Sequence, residues 1–460
     1  MSRWNLAWLL GVTGVILLGY TVSTSAPTRE QDNDYQLVHL LVDVLHEVEH
    51  KYVRPLDEEA KRKLVEDMIN GGLTRLDPHS AFINAKEYKR FAVTNKGKFG
   101  GVGIQLGDPK NNYLTVASPL IDTPAYAAGI LPGDVILKID GKSAHNMPVA
   151  DAIDLITGDP GTKVVLTVQH EGSKEAIDLE LIRAEIEVPS VLGDVRDPAN
   201  PRNWDYLIDK ANKIGYVRIL SFGEITAKEL RSAVEDLKKE GARGLIIDLR
   251  ANPGGLLRSA VEVCRMFVPD GRIVSTRGRD QQEEVYDAHG DDLVIQPDKK
   301  FPIAILINHL SASASEIVAA AMQDHHRAVI IGERSYGKGS VQNVIEMEDR
   351  ASALKLTTAS YWRPSGQNIH RFTDSKDSDE WGVKPDNGFE VKLTDEDRRN
   401  YYAYRHERDV LQWKAATEKP ADQKERKGEV KPFADKILER ALTYIRHELG
   451  AAETAASSAK

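Results

Sequence analysis

Two loops hold the residue types from which acyl chemistry can be built: SASASE, Ser311 to Glu316, and GERSYGKGSV, Gly332 to Val341. In the first, Ser313 and Glu316 have the spacing of a helix capping box, so Ser313 can simply close the start of a helix. The same place suits a nucleophile. At a helix N-terminus a hydroxyl lies beside free backbone N–H groups able to stabilise an oxyanion, and alanine neighbours leave room for a substrate. Local residues do not choose between Ser311, Ser313 and Ser315. Any of them needs a base, and the nearby histidines are His309, His325 and His326. No Gly-x-Ser-x-Gly elbow accompanies them, and His325-His326 sits in a polar QDHHR turn.

The second loop supplies a different base. Gly332, Gly337 and Lys338 nearly spell a phosphate-binding loop, but Gly339 stands where Ser or Thr must hold magnesium. The following SVQNVIEM alternates like a strand, where a phosphate loop begins a helix. A lysine exposed to water, with a pKa of about 10.4, cannot deprotonate serine at neutral pH; burial can lower that value by several units. Gln342 can accept a hydrogen bond from a neutral amine without adding the negative charge that would protonate it. The candidate set is therefore Ser313, or Ser311 or Ser315 in its place, with Lys338 and Gln342.

Composition narrows the rest. A chain of 460 residues, 41% hydrophobic and 28% charged, exceeds one ordinary core and should form two to four domains. With 61 basic against 70 acidic residues its net charge is −9, which offers no field to collect nucleic acid. The single cysteine, Cys264, excludes an intramolecular disulfide and a thiolate metal cluster. No cofactor is expected. From Leu6 to Val22 the chain is apolar almost throughout, after Arg3 and ahead of Glu30, Asp32 and Asp34. Residues 1–28 thus read as an export signal or membrane anchor that places the remainder outside the cytoplasm. Thr24-Ser25-Ala26 only loosely resembles a cleavage site, and the reading adopted is the anchor.

Five further regions follow. Residues 29–96 read as a helical region, with Leu37, Leu40, Leu41, Val44, Leu45 and Val48 at helical spacing and a second helix stopping at Gly71-Gly72. It ends in LDPHS, a turn. Residues 97–185 change to short strands with Asp140-Gly141 as a tight turn and one helix ended by Gly158. Residues 186–390 alternate strands and helices as an α/β core, whose ligands should sit beyond strand ends at Asn252-Pro-Gly-Gly255 and at the two loops above. Residues 391–450 are charged and helical, with Leu438, Ala441, Leu442 and Ile445 as core or oligomer contacts, and 451–460 read as a disordered tail.

Two resemblances sharpen this. Gly101-Val102-Gly103-Ile104, with SPLIDTPAYAAGILPGDVILKIDG after it, resembles a PDZ domain, whose loop N–H groups hold a peptide's terminal carboxylate while the peptide adds to the sheet edge. From about residue 35 to 390, LDPHS, GKFGGVGIQL, DLRANPGG, SASASEIVAAAMQD, GERSYGKGSVQ and LKLTTASYWRPSGQNI occur in the order found in the C-terminal processing peptidases, or tail-specific proteases. That resemblance implies a mixed-sheet α/β protease core with an inserted PDZ domain and helical regions at both ends. It implies Ser313 as nucleophile, Lys338 as general base and Gln342 as its orienter. The backbone N–H groups of Gly254 and Ala314 would form the oxyanion hole, with Gly255 able to replace Gly254. It further implies an exported, periplasmic serine endopeptidase acting on protein or peptide substrates with apolar C-termini, and a possible homo-oligomer. The rival readings are a non-catalytic PDZ adaptor and a histidine-assisted esterase. One departure is RFTDSKDSDEWGVKPD, residues 371–386, longer and more acidic than the usual link.

Overall fold

Four apolar runs, Ile214–Ile219, Gly244–Asp248, Ile303–Ile307 and Val329–Gly332, pair in parallel in that order in the computed structural model. The structure describes residues 29–458 apart from 198–199, 201, 281, 297–300 and 410–432. Strands apolar on both faces need cover on both. Helices Thr226–Lys239, Leu257–Arg265 and Ala314–Asp324 cover one face through Leu230, Val234, Val263, Ile317 and Val318. Helix Lys436–Ser458 covers the other through Ile437, Ala441 and Ile445. Each such buried side chain contributes about 1.5–3 kcal/mol relative to exposure. Val191–Leu192 and Leu207–Asp209 add antiparallel edges to Ile214–Ile219, so the sheet is mixed, as expected of the α/β core.

A second, antiparallel sheet runs Ala81–Ile83, Ser352–Trp362, Gly271–Gly278, Glu283–Ala288, with Ser340–Met347 also paired to Ser352–Trp362. It takes up the chain as it leaves Lys338. The PDZ-like region has the strand order Ile104–Lys110, Tyr113–Pro119, Val135–Ile139, Lys163–Gln169, Ala176–Ile182, with helix Val149–Ile156. Its core is Leu114, Ile136, Leu166 and their neighbours. Asp140 and Gly141 both take positive φ, 49° and 77°, as a two-residue hairpin of this twist requires.

Three expectations need correction. Helix Glu58–Leu76 passes through Gly71-Gly72 and ends only before Asp77-Pro78: glycine costs a helix about 1 kcal/mol, whereas proline restricts the residue before it. The chain divides into two compact units, Met1–Leu76 and Asp77–Lys460, so residues 77–96 do not belong with the preceding helices. Strand Ala81–Ile83 is drawn instead into the second sheet, where Ser80 Oγ accepts the Thr357 N–H at 3.0 Å. The expected disordered tail is helical to Ser458, in keeping with its alanine content. Within the first unit, Leu37, Leu40, Leu41 and Val44 are exposed. The proposed anchor, residues 1–28, lies outside the described residues, and no described helix is long and apolar enough to cross a membrane.

Candidate active site

Strand Ile303–Ile307 ends at Asn308, and the chain turns through HLSAS into helix Ala314–Asp324. Asn308 Oδ1 accepts the N–H of Ala251 at 2.9 Å and of Leu310 at 3.2 Å, binding this turn to the neighbouring strand end. The three serines then separate by environment. Ser311 Oγ donates to Leu249 O at 2.8 Å, Ser315 Oγ donates to Asn252 O at 3.0 Å, and both residues are fully buried. Those two hydroxyls hold loops together. Ser313, 8% exposed, stands at the helix start with φ 57° and ψ −116°, a backbone conformation costly for any residue but glycine.

Glu316 lies one turn into that helix, fully buried. Its Oε2 accepts the N–H of Ser313 and the N–H of Lys338, each at 2.8 Å, so those two backbone nitrogens lie no more than twice that distance apart. Its Oε1 accepts the Gly337 N–H and the Ser335 hydroxyl, both at 2.6 Å. One carboxylate therefore joins the serine loop to the lysine loop. Burial pushes its pKa up to about 7, against the opposing pull of these hydrogen bonds. The sequence marks Glu316 only as a capping residue. An acid set among SASAS and IVAAA was the available sign that it is buried and bonded.

Lys338 is largely buried, and desolvation holds its pKa below the ordinary lysine value. Lys355, on strand Ser352–Trp362, pushes it the same way, while Glu316 and Asp77 pull it up. Gln342 follows on strand Ser340–Met347, but its Nε2 donates to Ser340 Oγ at 2.8 Å and to Thr357 Oγ1 at 3.2 Å. Among the described residues, Lys338 Nζ makes no hydrogen bond to Ser313 or Gln342.

The backbone donors expected to form an oxyanion hole differ in what they already bond. Ala314 N–H, at the helix start, donates no hydrogen bond among the described residues. Gly254 lies against the serine: a Cβ there would come 2.7 Å from Ala312 O, 2.8 Å from Ser313 Cβ and 2.9 Å from Ala314 N. Its N–H, however, donates to Asn252 Oδ1 at 2.8 Å, whereas the Gly255 N–H donates no hydrogen bond among the described residues.

The histidines fall elsewhere. His325 caps the far end of the Ser313 helix, about 18 Å along its axis, and its Nε2 lies 2.7 Å from Arg272 O. His326 follows it, and His309 is 3.4 Å from Glu333. Segment 371–386 packs on the lysine loop. Arg371 N–H donates to Gly337 O at 2.8 Å, Val383 N–H donates to Ser335 Oγ at 2.7 Å, and the guanidinium groups of Arg334 and Arg371 lie against the Trp381 ring. Two of its five acids are paired with cations, Glu380 with Lys384 at 2.8 Å and Asp377 with Arg371 at 3.7 Å.

In the PDZ-like region, Ile104–Lys110 is an edge strand, with Gly101 closing a strand paired to Ala184–Glu187. The N–H groups of Val102 and Gly103 donate no hydrogen bond among the described residues, and Val149 and Ile153 are exposed on the helix. An edge with unpaired donors and apolar side chains near it can receive an extended peptide.

A strained serine at a helix mouth, a desolvated lysine tied to it through one carboxylate, and an open-edged PDZ sheet define a PDZ-bearing serine peptidase. The comparisons agree. Peptidase family S41 matches residues 213–387 and the PDZ domain matches residues 115–170. The "Carboxy-terminal-processing protease" of Bartonella bacilliformis is 38% identical over 416 residues, 86% of this chain and 88% of that protein. The "Carboxyl-terminal-processing protease" of Synechocystis sp. is 32% identical over 403 residues, 85% and 88% of the two chains. The "Carboxy-terminal processing protease CtpA" of Bacillus subtilis is 36% identical over 327 residues, 71% of this chain and 65% of that one. The chain belongs to the carboxy-terminal-processing proteases of family S41.

Proposed function

We propose that this peptidase is exported, held at the membrane by its N-terminal segment, and cuts protein substrates near apolar C-terminal tails by a serine–lysine mechanism. The neutral amine of Lys338 takes the proton of the Ser313 hydroxyl as Oγ attacks the scissile carbonyl. Ala314 N–H and a glycine N–H of the 254–255 pair stabilise the resulting oxyanion. The protonated amine then gives its proton to the leaving amine, and water, deprotonated in turn by Lys338, releases the acyl group from Ser313. Gln342 orients the lysine. The PDZ loop at Gly101, Val102, Gly103 and Ile104 takes the substrate's terminal carboxylate, and the strand beside it takes the tail.

The observation that carries this reading is the Glu316 oxygen shared by the Ser313 and Lys338 N–H groups. It ties the loop of the proposed nucleophile to the loop of a lysine whose pKa lies below the ordinary value, which supports pairing the two. The test is cleavage of an unfolded protein ending in an apolar tail, beside the same protein ending in acidic residues, by the full chain and by Ser313→Ala, Lys338→Ala and His325→Ala. Wild type and His325→Ala should cut the apolar-tailed protein preferentially, and the other two should be inactive. Turnover by Lys338→Ala at the wild-type rate would end the lysine mechanism, and equal cutting of both substrates would end the tail selectivity.

A further inference from the structure

The LDPHS turn, Leu76 to Ser80, reads from sequence as a bare turn, yet the structure sets its aspartate at the head of a hydrogen-bonded chain that ends on the lysine's orienting residue. Asp77 Oδ1 accepts the N–H of His79 at 2.7 Å and of Ser80 at 3.1 Å, and the hydroxyl of Thr357 at 3.1 Å. Asp77 Oδ2 accepts the Ser80 hydroxyl. Thr357 Oγ1 then accepts from Gln342 Nε2 at 3.2 Å, and Ser340 Oγ accepts from the same nitrogen at 2.8 Å.

The order of donors in this chain is not free. An ionised carboxylate can only accept, so the one hydroxyl proton of Thr357 must point at Asp77. Thr357 then has only lone pairs to offer Gln342, and the amide must turn its NH₂ group that way. Rotating the amide by half a turn would set two acceptors face to face, an unmatched contact costing about 1–3 kcal/mol where water is excluded. With both N–H bonds committed, Gln342 Oε1 is the group left over, and it accepts no hydrogen bond among the described residues. A carbonyl oxygen is what a neutral amine can donate to; an NH₂ group would instead donate to the amine's lone pair, the one that must take the serine proton.

We propose that Asp77 is a positioning residue for the catalytic base: through Thr357 it fixes the Gln342 amide so that its carbonyl oxygen, not its nitrogen, is available to the Lys338 amine. The proposal rests on the serine–lysine reading above and adds to it a residue that touches neither substrate nor nucleophile. The charged and titratable groups about Lys338 are Glu316 from the nucleophile's helix, Lys355 from strand Ser352–Trp362, and Asp77 and His79 from the turn, with His370 beside His79. Asp77 therefore has a direct influence as well, since its charge favours the protonated lysine. The two influences predict opposite outcomes, which makes them separable.

The experiment measures kcat, KM and the pH profile of kcat/KM for the full chain on an apolar-tailed unfolded protein. The variants are Asp77→Ala, Thr357→Val and Thr357→Ser, beside Ser313→Ala and Lys338→Ala. In Asp77→Ala the Thr357 hydroxyl loses its acceptor, so its proton is free to turn to Gln342 Oε1 and the amide is free to turn; an asparagine would not serve, because the His79 and Ser80 N–H groups would hold its carbonyl oxygen where Oδ1 stood. The plateau kcat of Asp77→Ala should fall about ten-fold or more, part of the roughly 10²–10⁴-fold that a positioned base contributes, with KM little changed. Thr357→Val, equal in shape, should lose a similar factor, and Thr357→Ser should restore kcat to within about two-fold of wild type. A wild-type plateau in Asp77→Ala, with the acid limb merely moved to lower pH, would show the charge acting directly and overturn the relay. Equal losses in Thr357→Ser and Thr357→Val would overturn it too. Either result, with Ser313→Ala and Lys338→Ala inactive, leaves the serine–lysine reading standing; an active Lys338→Ala would remove that reading itself.

Discussion

The serine loop and the lysine loop meet on the same carboxylate but are built differently. Around Ser313 the bonds are to backbone groups of adjoining strand ends: Ser311 to Leu249, Ser315 to Asn252, Asn308 to Ala251. Around the lysine the neighbours are side chains brought from remote parts of the chain: Glu316 bonds the Lys338 N–H, Asp77 and Thr357 bond in a line to Gln342, and Lys355 acts through its charge. The first arrangement fixes where an atom is. The second fixes whether an amine is charged and what it can bond to. Changes on the serine side should therefore lower the rate at every pH, and changes to the charges about the lysine should move the pH at which the rate is reached.

Glu316 belongs to both sides, and its replacement should have the largest effect. Glu316→Gln keeps the shape but turns an NH₂ group toward one pair of its four donors, so at least one buried N–H or hydroxyl loses its acceptor, at about 1–3 kcal/mol. The plateau kcat should fall on the order of 10²–10³-fold as the two loops part. The pH profile should move as well. Wild-type Glu316 takes up a proton as pH falls through about 7 and gives up an acceptor, and its charge raises the Lys338 pKa. With that charge gone, the acid limb should lie at lower pH than in wild type. A lowered plateau with an unmoved limb would place Glu316 on the serine side alone.

Gly254→Ala tests the serine side by itself. At φ 98° the new Cβ would come within 2.9 Å of Ala314 N and closer still to Ser313 Cβ and Ala312 O, so either the nucleophile or the oxyanion donor must shift. Loss of one oxyanion donor costs roughly 10²–10³-fold in kcat. The acid limb should stay in place, because no charge near Lys338 changes. Steady-state profiles of wild type and Gly254→Ala that differ in limb as well as in height would break the division between the two sides.

The same division explains what could be read before any coordinates. The α/β core follows from apolar runs such as GLIIDLR and FPIAILIN, whose length and lack of alternation already require burial on both faces. The serine loop was legible as a type of place, a helix start among small residues, but the choice of Ser313 there needed the family resemblance. In the structure the hydroxyls of Ser311 and Ser315 are already committed to backbone carbonyls, which is consistent with that choice. The lysine's surroundings were not legible. Asp77 and Thr357 lie 280 residues apart, and nothing in LDPHS or LKLTTAS states that the two will bond. Segment 371–386 read as excess charge, yet two of its acids, Glu380 and Asp377, find partners within the segment itself, Lys384 and Arg371, which its spacing alone did not announce.

Lys355→Met should have the smallest effect and is the cleanest probe of the lysine side. Lys355 stands on the strand behind the base, and its charge helps hold the Lys338 pKa down, second to desolvation. Methionine keeps most of the apolar stem and removes the cation. The sign follows directly: without a neighbouring positive charge, protonated Lys338 is less disfavoured, its pKa rises, and a larger fraction of the enzyme is inactive at neutral pH. The acid limb of kcat/KM should move to higher pH, and the plateau above it should match wild type. Added salt should shrink the difference between the two profiles, because a charge–charge effect near the surface is screened whereas burial is not. A profile that drops in height without moving would mean that Lys355 shapes the pocket rather than its potential. The pKa of the base would then rest on desolvation alone.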